Sequence, residues 1–247
     1  MSADPTAPGR SPARADLAFL RRRTRPARVV TPEAVPSALD LAPVTAQAPP
    51  PRARSTRPVV RVPAGERRLL GTATPMVTLT RLQSGVGALV VEALCARAVG
   101  DLRMGCAYTL ADGYSSTVQH SGGRNSGPHG SKSPVLLAGR REFERLTVDL
   151  RQNRRLRRLI VYGFSESRQV LRWGGALAVT THGGTRLDLP VDQPAACGVT
   201  VFLALYNVDG EFVLRTEMTR VDGDVRDACQ AYGFDRITWV DGRTPAS

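Results

Sequence analysis

From residue 76 onward, apolar and polar residues alternate in short runs that glycine, aspartate and asparagine interrupt. A period of two is typical of β-strands that bury one face. The clearest case is a hairpin over residues 199–218, with its turn at Asn207–Gly210. One face of its first strand carries Val199, Val201, Leu203 and Leu205. The run at 159–164 is instead apolar on both faces, which predicts a strand in the middle of a sheet.

At least seven such strands joined by short turns predict an all-β fold, a two-sheet antiparallel β-sandwich. A further alternating run lies at residues 146–150. Turn residues between the runs indicate which strands pair as hairpins. The expected pairs are 76–82 with 88–95 through a turn at 83–87, 103–110 with 115–119, and 176–181 with 186–189.

One short C-terminal helix is predicted after the last hairpin. Asp224 can cap its N-terminus, Asp227 lies in the first turn where a negative charge is favourable, and Gly233 can end it. Residues at spacings i, i+3, i+4 and i+7 form one apolar stripe, which consists of Val225, Ala228, Cys229 and Tyr232. We expect this stripe to dock on the sandwich.

Residues 1–70 differ in composition from the rest of the chain. They hold 12 of the 18 prolines, a single aromatic residue (Phe19), and 13 arginines against five acidic residues. A segment this rich in proline and charge cannot bury enough apolar surface to fold. The sequence therefore predicts a disordered, basic Pro/Ala/Arg-rich tail over residues 1–70 and one folded domain over residues 71–247.

The net charge of +12 suggests anionic partners, and all but one of the 34 basic residues are arginine. Arginine clusters attract phosphates, nucleic acids and anionic lipid headgroups. The candidate contact residues are Arg21, Arg22 and Arg23 in the tail, and Arg151, Arg154, Arg155 and Arg158 in the basic turn at 151–158. A solvated linker and a solvated turn remain the alternatives for these two clusters.

No set of catalytic residues emerges from the sequence. The three histidines, His120, His129 and His182, lie in glycine- and serine-rich or turn segments, and Ser165 lacks the second glycine of a nucleophile elbow. The four cysteines form no C-x-x-C pair, which favours free thiols over a zinc site. We expect no enzymatic activity, no small-molecule substrate and no cofactor.

The expected compartment is the cytoplasm, with the inner face of the membrane as a peripheral alternative. No apolar run approaches the roughly 18 residues that a membrane-spanning helix needs. Near the N-terminus the arginines Arg21–Arg23 follow the only apolar patch, Leu17–Leu20, whereas a secretory signal has the reverse order.

Residues 76–240 resemble the tellurium-resistance TerD family of bacterial stress proteins. Residues 100–113 are similar to the family's F-D-L-D-A-S-A-F-L-L strand and its following D-G turn. Residues 146–167 resemble its K-V-D-L strand and the apolar strand that ends near I-H-D. Residues 201–218 are the most specific match, to a V-F-G-E-L-Y-R-H-G-G-E-W-K-F-R-A-V hairpin that leads into a short helix.

This resemblance implies a β-sandwich without enzymatic activity that binds calcium and works with a membrane partner under metal, oxidative or phage stress. Asp101 keeps the first aspartate of the family's D-L-D strand, but Arg103 replaces the second. The family's acidic calcium loop aligns with residues 123–133, which carry no carboxylate. Because arginine and lysine repel a divalent cation, we expect degenerate calcium sites, with Asp101 as the remaining candidate ligand.

Two functions follow as expectations. In the first, the chain is a TerD-like stress-response scaffold that its basic tail recruits to protein partners or to an anionic membrane surface. In the alternative, it is a nucleic-acid- or anion-binding adaptor that uses the tail and the basic turn at 151–158, with the sandwich as a platform.

Overall fold

The computed structural model describes residues 60–246, apart from the side chain of Arg97. Fourteen strands are found in this part of the chain. They are β1 (Arg61–Val62), β2 (Arg67–Leu69), β3 (Met76–Leu79), β4 (Ala88–Cys95), β5 (Leu102–Leu110), β6 (Ser115–Gln119), β7 (Ser126–Gly127), β8 (Leu136–Arg140), β9 (Glu144–Asp149), β10 (Leu156–Ser165), β11 (Gly175–Thr181), β12 (Arg186–Pro190), β13 (Val199–Val208) and β14 (Glu211–Val221). The helices are α1 (Arg81–Gly85) and α2 (Val225–Ala231), with 3-10 segments at Arg97–Val99, Ser121–Gly123 and Leu150–Arg155.

The strands form two seven-stranded sheets that enclose a common core, so the predicted β-sandwich is confirmed. The first sheet has the order β1-β3-β14-β13-β10-β5-β6, and the second has the order β2-β12-β11-β4-β9-β8-β7. The predicted hairpins β5–β6, β11–β12 and β13–β14 are all present. As predicted, β10 is a central strand, which pairs with β13 on one side and β5 on the other.

Each sheet is antiparallel except for one parallel pair at an edge, so the predicted antiparallel sandwich has mixed sheets. In the first sheet β1 runs parallel to β3, and in the second β2 runs parallel to β12. Parallel strands need a crossover rather than a hairpin. The chain supplies that crossover between β1 and β3, because it leaves the first sheet to add β2 to the second before it returns.

These edge strands also correct the predicted domain boundary at residue 70. Residues 61–62 and 67–69 belong to the sheets, and Val62 and Leu70 are fully buried in the core. These strands produce no alternating pattern in the sequence, because they are only two and three residues long. The stretch also contains no aromatic residue that would indicate a strand. The remainder of the predicted tail, residues 1–59, lies outside the described residues.

The predicted first hairpin is wrong, because β3 and β4 lie in different sheets. A capping box forms where a turn was expected: Thr80 Oγ1 accepts a hydrogen bond from the Gln83 amide at 3.3 Å, and Gln83 Oε1 accepts one from the Thr80 amide at 2.7 Å. This reciprocal pair begins α1. The short helix carries the chain from one sheet to the other.

The predicted C-terminal helix is confirmed as α2. Asp224 caps it in a second capping box with Asp227, and the helix ends just before Gly233. Its buried residues Val225, Ala228 and Cys229 pack on the outer face of the first sheet, in a second apolar cluster with residues such as Ile160, Tyr162 and Val201. Because α2 covers this face, β10 and β13 are buried on both sides.

Candidate anion-binding surface

Several connecting segments meet around two adjoining depressions on the surface of the first sheet. One has a volume of about 620 Å³ and is lined by residues of α1, the β5–β6 turn, the 3-10 segment before β10 and the β13–β14 turn. The other, of about 630 Å³, lies between the sheet and the residues after α2. Arg157 and Asn207 line both. We call this surface the arginine groove, after Arg81, Arg154, Arg157 and Arg236 in its wall.

A β-bulge presents Arg157 to the groove. Along the β5–β10 ladder, Leu156 pairs with Leu110 and Arg158 with Thr109, so that Arg157 is the extra residue of β10. A bulge bends its strand and redirects the side chain of the additional residue. The exposed guanidinium of Arg157 therefore lies between the two depressions.

Three guanidinium groups of the groove have no partner among the described residues. Arg154, Arg157 and Arg236 are exposed, and none of them forms an ion pair or hydrogen bond within residues 60–246. Arg81 donates to the backbone oxygen of Asp209 at 3.2 Å. The carboxylates of Asp209 and Asp235 also line the groove. The surface thus combines an excess of positive charge with two carboxylates that can accept hydrogen bonds.

Hydrogen bonds hold the backbone around the groove in place. Asn207 Nδ2 donates to the backbone oxygens of Asn153 at 2.7 Å and Leu156 at 3.0 Å, and Asn207 Oδ1 accepts from the Gly210 amide at 2.9 Å. Asn153 Nδ2 in turn donates to the backbone oxygen of Ser84, in α1, at 3.0 Å. These side chains connect three of the segments that line the groove, and such preorganisation lowers the entropic cost of binding.

Arg158, a candidate contact residue from the sequence, lines the second depression of the groove and also has a structural role. Its guanidinium donates to the backbone oxygens of Tyr232 at 3.1 Å and Gly233 at 2.5 Å, and lies 4.3 Å from the centre of the Phe234 ring. Positive charge at a helix C-terminus is favourable. Arg158 therefore holds the end of α2 against the sheet.

The other members of the predicted basic turn divide between two surfaces. Arg154 lies in the arginine groove, whereas Arg151 lines a separate depression with Lys132 and His182. Arg151 forms an ion pair with Asp149 at 2.8 Å, and this hydrogen bond lowers the pKa of the Asp149 carboxyl.

Arg155 donates to Gln152 Oε1 at 2.5 Å and to the backbone oxygen of Ser133 at 3.3 Å. The remaining candidates, Arg21, Arg22 and Arg23, lie outside the described residues. The sequence did not single out Arg81 and Arg236, since they are remote from the basic turn in the chain.

Asp101, the remaining candidate calcium ligand, immediately precedes β5 and connects it to the end of β10. Its Oδ1 accepts from Ser165 Oγ and its Oδ2 from the Ser167 amide, both at 2.6 Å. Partial burial raises the pKa of this carboxyl, but these hydrogen bonds outweigh that effect and the pKa is lowered. Arg103 forms an ion pair with Glu166 nearby. Within residues 60–246 no three histidine, cysteine, aspartate or glutamate side chains group as metal ligands would.

Glu144 is a buried carboxyl that was not among the residues predicted from the sequence. It is 5% exposed, lies 3.4 Å from the Met104 amide through Oε2, and approaches Arg140 at 3.6 Å through Oε1. Burial raises its pKa, although the Met104 amide and the charges of Arg103 and Arg140 act in the opposite direction. Glu144 lies two residues before Leu146 and four before Val148, so the period of two places all three on the buried face of β9. This spacing is the signal that could have identified it.

Ser165, for which the sequence predicted no catalytic role, has two hydrogen-bonded neighbours. Its Oγ donates to Asp101 Oδ1 at 2.6 Å and accepts from the Gln169 amide at 2.9 Å. These bonds tie the end of β10 to the loop that follows it.

None of the helices in residues 60–246 is long and apolar enough to cross a membrane.

The chain matches no model of a known protein family, and no curated protein matches it.

Proposed function

We propose that this protein is a non-enzymatic β-sandwich adaptor in a cytoplasmic stress response, as its resemblance to the TerD family implies, and that it contacts an anionic partner through the arginine groove. One observation carries the proposal. Arg154, Arg157 and Arg236 have no anionic partner within the described domain, yet they line one connected surface. Bringing like charges together is unfavourable, and an anionic partner relieves that cost.

The ion pairs of other arginines in the fold support the proposal. Several are paired with carboxylates, for example Arg61 with Glu211 and Arg67 with Asp188. The groove differs because its two aspartates form no ion pair with its arginines within residues 60–246. Its guanidinium donors therefore remain available to a partner.

A triple substitution in the full chain tests this proposal, with inorganic polyphosphate as the probe. The variant Arg154→Gln/Arg157→Gln/Arg236→Gln removes three charges from the groove. The matched control Arg141→Gln/Arg172→Gln/Arg226→Gln removes three charges from exposed positions outside it. We expect calorimetry to show affinity weaker by about tenfold or more for the groove variant than for the control.

Thermal melts establish whether both triple variants are folded. The substituted side chains of the groove form no ion pair or side-chain hydrogen bond within residues 60–246, so we expect the groove variant to melt within a few degrees of the wild type. Equal polyphosphate affinity in the two variants would overturn the proposal, because it would mean that only overall charge matters.

A further inference from the structure

Exposed apolar side chains lie beside the cationic side chains of the arginine groove. Val208 lines the depression of about 630 Å³ and is 50% exposed. In α1, Arg81 and Gly85 line the other depression. Leu82 and Val86, each the next residue along the chain, are exposed as well. Three of the large apolar side chains that the described part of the chain exposes therefore border this one surface.

Hydrogen bonds connect the segments that carry these apolar side chains. Arg81 of α1 donates to the backbone oxygen of Asp209, in the β13–β14 turn, at 3.2 Å. Asn153 Nδ2 lies between the same two segments, 3.0 Å from the backbone oxygen of Ser84 in α1 and 3.4 Å from that of Gly210 in the turn. The apolar positions of α1 and of the turn are thus held in place next to the arginines.

The combination of arginine with exposed aliphatic side chains fits a protein partner. Arginine is among the residues enriched at protein–protein interfaces, and apolar side chains form the core of such interfaces. A phosphate chain has no aliphatic groups, so it would leave Leu82, Val86 and Val208 in water. A ligand with both carboxylates and aliphatic side chains would contact both kinds of residue and bury their apolar surface.

The two aspartates of the groove also fit a protein segment. The carboxylates of Asp209 and Asp235 line the groove and form no ion pair within residues 60–246. A peptide backbone has an N–H group at each residue except proline, and these groups can donate hydrogen bonds to a carboxylate. An acidic segment therefore offers acceptors to the arginines and donors to the aspartates, whereas polyphosphate offers only acceptors.

We infer that the arginine groove binds an acidic segment of a partner protein that also carries aliphatic side chains. Its carboxylates pair with Arg154, Arg157 and Arg236, and its aliphatic side chains cover Leu82 and Val208. An extended segment reaches both depressions, because they adjoin at Arg157. This inference rests on the proposed function and names the class of partner for the same surface.

Fluorescence anisotropy with two labelled peptides of equal charge tests the inference on the full chain. One peptide consists of four Glu-Glu-Leu repeats, and the other of four Glu-Glu-Ser repeats. We expect the full chain to bind the leucine peptide about tenfold more tightly, because its leucines bury apolar surface against the groove. The groove variant should bind both peptides about tenfold or more weakly than the control triple variant does.

A variant without the exposed apolar contacts separates them from the effect of charge. Leu82→Ala/Val208→Thr should lose most of the preference for the leucine peptide, because both substitutions remove aliphatic surface. Its affinity for polyphosphate should equal that of the wild type, because the charge of the groove is unchanged. Both side chains are exposed, so thermal melts of this variant should agree with the wild type within a few degrees.

Equal affinity of the wild type for the two peptides would overturn the inference, as would an unchanged preference in Leu82→Ala/Val208→Thr. A single strand of nucleic acid that matches the leucine peptide in charge and displaces it more effectively than unlabelled peptide would also overturn it, in favour of a nucleic-acid partner. In each of these cases the proposed function stands if polyphosphate binding still requires the groove arginines. If polyphosphate binding does not require them, both proposals fail.

Discussion

Arg157 and Arg158 are sequence neighbours whose side chains have different roles. Arg158 bonds to the end of α2, while Arg157 is the extra residue of a β-bulge and lies in the arginine groove. The two residues have the same chemistry and adjacent positions. Their local backbone register and the elements packed nearby decide which one stabilises the fold and which one is available to a partner.

Glu144 is a residue whose burial carries an energetic cost. Its side chain lies on the inward face of β9, which also carries the buried Leu146 and Val148, and within residues 60–246 its Oε1 atom has no hydrogen-bond partner. Burial in an apolar environment disfavours the charged carboxylate. The raised pKa of Glu144 is the result.

The substitution Glu144→Gln should stabilise the protein near neutral pH. A carboxyl whose pKa is raised on folding contributes stability below its unfolded pKa of about 4.3 and loses it as the pH rises through the folded value. Glutamine removes that loss, so the variant's gain in unfolding free energy should be largest near neutral pH and shrink towards about pH 4. Urea unfolding across this range measures it, and a gain that does not depend on pH would contradict the explanation.

Helix α1 shows how one buried amide can join several elements. Gln83 is 4% exposed, and its Nε2 donates to the Val62 backbone oxygen at 3.0 Å and to Thr185 Oγ1 at 2.7 Å. Its Oε1 accepts from the Thr80 amide in the capping box. The side chain thereby connects α1 to β1 and to the turn before β12.

The substitution Gln83→Leu should destabilise the fold by about 1–3 kcal/mol, because buried groups that lose a hydrogen-bond partner keep their desolvation cost. Urea unfolding of the full chain provides the measurement. The matched control is Leu82→Ala in the same helix, whose side chain is 71% exposed. We expect the control to change stability by no more than about 0.5 kcal/mol. Equal effects of the two substitutions would mean that helix propensity, and not the amide contacts, decides the stability of α1.

At the scale of the whole molecule, the sandwich separates two kinds of surface. The outer face of the first sheet is covered by α2, and the arginine groove lies where this covered face meets the connecting segments. The outer face of the second sheet instead carries ion pairs such as Arg67–Asp188 and Arg145–Glu92. Ion pairs thus compensate charge on the outer face of the second sheet, whereas Arg154, Arg157 and Arg236 of the groove form none within residues 60–246.

The resemblance to the TerD family makes calcium binding a property to measure on the full chain. We expect calorimetric titration with calcium to give no binding heat and thermal melts to show no shift. The reason is that both oxygens of Asp101 already accept hydrogen bonds, and Arg103 places a positive charge close by. Calcium at 100 times its dissociation constant would add about 2.7 kcal/mol to stability. A clear rise in melting temperature together with micromolar calcium affinity would contradict this prediction. It would favour the calcium-dependent role that the resemblance implies.

Much of the fold could be predicted because its signals are local. Alternation identified β13 and β14, turn residues marked three hairpins, and a cap with an apolar stripe identified α2. The connection through α1 was missed, since a five-residue helix is too short for a periodic signal. The candidate site was predictable only in part: the basic turn contains Arg154 and Arg157, but nothing near it in the chain indicates Arg81 or Arg236.

By itself, the sequence determined that this protein has β-strands, three hairpins, a capped C-terminal helix and an excess of arginine, because alternation, turn chemistry and composition act over a few residues. Only the tertiary structure decided that β3 and β4 belong to different sheets, that β1 and β2 extend the edges in parallel, and that the basic turn divides between two surfaces. These features depend on contacts between residues far apart in the chain. Such contacts set the partners and the burial of each side chain, and therefore which arginines remain free to bind.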